Sequence, residues 1–152
     1  MYKNLFNQND VLELLTTAEI KEKILNDIVF VGLRSIIGVI FIVHGMSKFN
    51  PGFGNFLPNI GLPPEMQIPI ALAEVIPGIL IITGVFSRIS SALLCIIMLG
   101  AIFHVKGMQS LTGDGGIELD LILLGSLLVI MITGPGRISI SQIIKKIPRC
   151  IH

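Results

Sequence analysis

The chain has 152 residues, 52% of them hydrophobic and 14% charged, with a mean hydropathy of +0.84 and a formal net charge of +1. That hydropathy lies above the range of soluble globular domains, and so small a net charge leaves no polycationic surface for nucleic acid. Two cysteines, Cys95 and Cys150, are too few and too far apart for a disulfide framework or a CxxC redox centre.

The apolar residues gather in blocks of about 18 to 20, the length that crosses roughly 30 Å of hydrocarbon as a helix. The expected fold is all-α: an integral membrane, antiparallel four-helix bundle preceded by an amphipathic cytoplasmic helix. No cleavable signal peptide is predicted, because "MYKNLFNQND" has neither a basic start nor an apolar core. Residues 1–27 form the amphipathic segment, 28–136 the four-span domain and 137–152 a basic cytoplasmic tail.

Asp10 to Asp27 reads as a helix with Asp10 as N-cap, Glu13 at a capping-box-like spacing, and Val11, Leu14, Leu15, Ala18 and Leu25 on one face. Its acids, Asp10, Glu13, Glu19, Glu22 and Asp27, outnumber Lys21 and Lys23, which disfavours docking on anionic lipid. Residues 10–27 either meet another subunit of a membrane complex or fold under the protein's own helices.

Spans are predicted at 28–46, 68–86, 89–105 and 117–134. Lys3, Lys21, Lys23, Arg88, Arg137, Lys145, Lys146 and Arg149 fall on the side of the termini, and only Lys48 and Lys106 on the other. That asymmetry places both termini in the cytoplasm of a multi-pass inner or plasma membrane protein. The loop 47–67, rich in Gly and Pro, cannot continue a helix, and its Phe49, Phe53 and Phe56 read as interfacial anchors. "SR" at 87 and 88 is short enough to force a tight hairpin between the second and third spans.

Ionisable residues collect toward the outer half. His44 and Lys48 end span one, Glu74 lies about two turns into span two, His104 and Lys106 end span three, and Glu118 and Asp120 open span four. Together with Arg34, inside span one, they form an expected buried polar cluster, since a charge at a helix centre costs about 2.5 to 3.5 kcal/mol unless it is shielded and paired. Pro77 should kink span two, leaving the carbonyl of Ala73 without its helical donor beside Glu74, and Arg34 is the expected counter-ion of Glu74. Glu118 and Asp120 are equally explained as acids at the positive end of a helix, and Lys48, Lys106 and His104 as markers of the water boundary. His44, His104 and Glu118 are the metal-ligand candidates, though no HxxxH or HExxH spacing supports a site.

The stretches "RSIIGVIFIVHGMSKF" (34–49), "IPIALAEVIPGILIITGVFSRISS" (68–91) and "HVKGMQSLTGDGGIELDLILLG" (104–125) together resemble the DoxX family of small membrane proteins. His44 to Lys48, Glu74 and Glu118 to Asp120 match the family's polar positions. The resemblance implies four membrane helices and association with respiratory and sulfur-oxidising redox machinery, and it brings in quinone as the one cofactor to consider. Three functions follow: a non-catalytic accessory subunit of a membrane redox complex (oxidoreductase, oxidase or monooxygenase), a quinone-reactive subunit of the thiosulfate:quinone type, or a small transporter or proton pathway. For the second, the catalytic candidates are His44, Glu74 and His104. Membrane lipids and other subunits are the expected partners.

Overall fold

The computed structural model describes residues 8–107, 110–113, 116–136 and 138–139. Among these the chain is all-α and contains no strand. α1 runs Gln8–Ser47, α2 Pro51–Phe56, α3 Gln67–Thr83, α4 Ser87–Gly100 and α5 Glu118–Thr133. Two 3₁₀ turns, Leu57–Ile60 and Pro64–Met66, separate α2 from α3, and a π-helical turn, Ala101–Val105, continues α4.

From Gln8 onward the amphipathic segment and the first span are one helix, so no structural break marks residue 27. Among the described residues three segments are long and apolar enough to cross a membrane: Ile24–Ser47, Pro64–Thr83 and Ser87–Val105. The segment expected as the fourth span forms α5, whose 16 residues reach only about 24 Å. Apart from Ile138 and Ser139, the basic tail lies outside the described residues.

α1 packs on α3, α3 on α4, α4 on α5, and α5 returns to α1. Ile37, Phe41, Ile81, Leu94, Met98, Leu123 and Leu127 fill the space between them. Glycine sets the α1–α3 seam. A Cβ on Gly38 would sit 2.6 Å from the carbonyl oxygen of Gly78, and one on Gly45 would sit 2.9 Å from that of Ala71. Antiparallel backbones thus touch directly, as small residues permit inside a membrane.

The hairpin between α3 and α4 turns at Gly84–Phe86, just before the "SR" pair. Gly84 is left-handed at φ 74°, its amide bonds Ile81 O, and the amide of Val85 reaches back to Leu80 O, so the helix ends where glycine permits the reversal. Ser87 already belongs to α4. The loop 47–67 also has more order than its Gly and Pro content suggested. Asn50 caps α2 by accepting from the amide of Gly52 at 2.9 Å, and Pro51 occupies the first helical turn, where a missing amide costs nothing.

Candidate functional site

The C-terminal ends of α1 and α4 and the N-terminal ends of α3 and α5 meet at the face opposite the Gly84–Phe86 turn. There they enclose a cavity of about 660 Å³. Its walls carry His44 and Lys48 from α1, Glu74 from α3, His104 and Lys106 from the end of α4 and Asp120 from α5, set among Ile70, Ala73, Ile97, Met98, Ala101 and Leu119. Phe53, Phe56, Leu57, Ile60 and Leu62 close it from above.

Glu74 is 1% exposed and forms an ion pair through Oε1 with Lys48 Nζ. Its other oxygen, Oε2, is buried and has no partner among the described residues. The lysine head also stands 5.6 Å from the centroid of the Phe53 ring, close enough for a cation–π contact. On the opposite wall Lys106 Nζ donates to Gly116 O at 2.9 Å and approaches Asp120 Oδ2 to 2.6 Å. That approach lies off the hydrogen-bonding direction, since Oδ2 accepts no directed bond, and the pair is an ion contact. With histidine counted as neutral, the lysines and carboxylates that line the cavity cancel.

His104 lies in the π-helical turn, and its Nε2 is 2.8 Å from Ile60 O. A carbonyl can only accept, so Nε2 carries the proton and the imidazole ties the roof to α4. Gln67 does the same from α3: its Nε2 donates to Lys48 O and to Asn50 O, both at 2.9 Å. Single-turn π segments recur at functional sites because the extra residue re-aims the side chains that follow it.

Two residues expected in the cluster stand elsewhere. Arg34 does not pair with Glu74. Its guanidinium donates through Nη1 to Pro135 O and, at 2.7 Å, through Nη2 to Ile138 O, beyond the C-terminal end of α5. The cause is direction: a helical side chain leans toward its helix's N-terminus, so on antiparallel α1 and α3 Lys48 and Glu74 lean toward each other while Arg34 leans away. Glu118 is exposed in the first turn of α5 and is absent from the cavity wall. The proposed metal ligands His44, His104 and Glu118 are accordingly not brought together, and no group of three or more His, Cys, Asp or Glu among the described residues could hold a metal ion. Phe53 and Phe56, read as anchors, line the cavity, whereas Phe49 does not. Sequence reasoning missed Gln67 and the Ile60 carbonyl; the Asn50–Pro51 capping signal was the available hint of an ordered roof.

The DoxX family model matches residues 29–107, which include α1 from Val29, the roof and both helices of the hairpin. The chain belongs to the DoxX family. Among relatives of this DoxX protein, one from Bacillus subtilis (strain 168), named "Putative oxidoreductase CatD", is 36% identical over 116 residues, covering 75% of this chain and 85% of the relative. Another, "Uncharacterized membrane protein Rv3486" of Mycobacterium tuberculosis (strain ATCC 25618 / H37Rv), is 28% identical over 131 residues, covering 75% of this chain and 80% of the relative. No solved structure matches the chain.

Proposed function

We propose that this DoxX protein is the quinone-binding membrane subunit of a larger redox complex, an accessory component that holds a quinone ring while partner subunits deliver the electrons. The observation that carries this reading is the cavity: about 660 Å³, walled largely by apolar side chains, balanced in formal charge, and bordered by a buried carboxylate with one oxygen unpartnered. A bound quinone supplies a two-electron, two-proton carrier. The chain's own residues supply the rest. Apolar walls take a flat ring, the Lys48 ammonium and the His44 imidazole donate toward a carbonyl oxygen, and Glu74 Oε2 accepts from a hydroxyl. A sulfur oxyanion would find no net positive charge here to offset its desolvation.

Orientation and partnership belong to the same proposal. The Lys and Arg asymmetry puts the termini in the cytoplasm and the cavity at the outer face of the plasma membrane. α5 is taken as a fourth crossing, since its flanks at Ile117 and Gly134 are buried and Ile122 and Ile132 present apolar surface outward. Residues 8–23 prolong α1 by 16 residues, about 24 Å, beyond the membrane-length segment Ile24–Ser47, an arm suited to a partner subunit. The relative's name, which contains the word oxidoreductase, points the same way.

Purification in a mild detergent from native membranes, followed by solvent extraction, tests both parts. The expected result is co-purifying redox subunits and a quinone retained by the wild type and lost in Glu74→Gln. Recovery of the free chain alone, oxidising or reducing quinone unaided through His44 and Glu74, would replace the accessory reading with the quinone-reactive enzyme.

A further inference from the structure

Between α3 and α4, on their outer side, lies a second cavity of about 330 Å³, a groove that shares Ala73 with the first. Leu72, Ile76 and Leu80 form one ridge at four-residue spacing, and Phe86, Ile89 and Leu93 form the other. Small or amide-less residues, Ala73, Pro77 and Ser90, lie between the ridges as the floor. The trough therefore exists because bulk flanks it and is missing from its centre. Leu72 to Leu80 is eight helical steps, about 12 Å along the helix, and Ile76 and Ile89 are more than half exposed. In a membrane this groove faces lipid.

The α1–α3 and α4–α5 seams are packed. α1 and α3 touch backbone to backbone at Gly38 and Gly78, and the α4–α5 side is filled by Leu94, Met98, Leu123 and Leu127. We infer that the quinone of the head cavity carries a long apolar chain that passes Ala73 and lies in the α3–α4 groove, so that the ligand enters sideways from the bilayer. This rests on the quinone reading above. Glu74 and Pro77 then act on the two ends of one ligand: the acid faces the ring, and the proline, smaller than the Leu, Ile and Phe of the ridges and set in the floor, leaves room for the chain.

The test uses the full chain in lipid nanodiscs and equilibrium competition binding of a methylnaphthoquinone bearing a tetraprenyl tail against the same ring without it, with a benzoquinone pair in parallel. Ile76→Trp, at an exposed ridge position, and Ser90→Phe, at the floor, fill the groove; thermal melts verify that each folds. The expected result is roughly a tenfold loss of affinity for the tailed compound in both variants and no change for the bare ring. Unchanged affinity for the tailed compound in folded variants would mean that the groove holds only bulk acyl chains. An equal loss for both compounds would mean that the substitutions act on the ring site, and would likewise overturn the inference while leaving the quinone reading intact. If neither ring binds the wild type, both readings fall together.

Discussion

Glu74 is the residue on which most depends, because nearly complete burial leaves its charge to be balanced by one amine. Lys48 is about a quarter exposed and can lean to water, whereas Glu74 cannot. Lys48→Met is therefore expected to lower stability by about 3 kcal/mol, leaving a lone carboxylate among apolar side chains, while the double variant Lys48→Met, Glu74→Leu recovers most of that loss. Chemical unfolding of the four members of the cycle measures this. Additive losses would show that the two side chains act independently. The sequence exposed the acid but led to Arg34, the cation inside the same span, while Lys48 read equally as a marker of the water boundary. What chose Lys48 was the lean of side chains along antiparallel helices, together with a register fixed where Gly45 meets Ala71 and Glu74.

At the scale of elements, the interior of the first span and the residue just past its C-terminal end have different duties. Lys48 serves the cavity, and Arg34, 14 residues and about 21 Å back along the helix, holds the chain beyond α5 through two backbone carbonyls. Arg34→Met should lower stability by about 2 kcal/mol through loss of charge-assisted hydrogen bonds and leave binding of a bare quinone ring unchanged. A melt and a binding isotherm on the same preparation decide it; loss of ring binding without loss of stability would place Arg34 in the site's own chemistry. The helices themselves were legible from apolar runs, and the α3–α4 hairpin nearly so from the short connection at 87 and 88, a few residues past the turn itself. The roof over 51–66 was not, since Gly and Pro spacing announces that a helix stops without saying what folds next. The π-helical turn that aims His104 had no visible signal, because one extra residue in a turn leaves hydropathy unchanged.

For the whole molecule, the proposed function is that of a small vessel for a lipid quinone, with its polar end opposite the Gly84–Phe86 turn and the N-terminal arm of α1 on the other side. Helices that meet through Gly38, Gly45 and Gly78 give a rigid wall on the α1–α3 side. The ordered roof and the α3–α4 groove leave the ligand two polar pairs at one end and lipid at the other. Photolabelling with an azido-quinone, mapped by peptide mass spectrometry and competed with unlabelled quinone, tests this most directly. The account predicts competed labelling concentrated in residues 44–48, 70–74 and 97–106, and its disappearance in Glu74→Gln. Labels spread evenly over the lipid-facing residues of all the helices, indifferent to competitor and to that substitution, would contradict it.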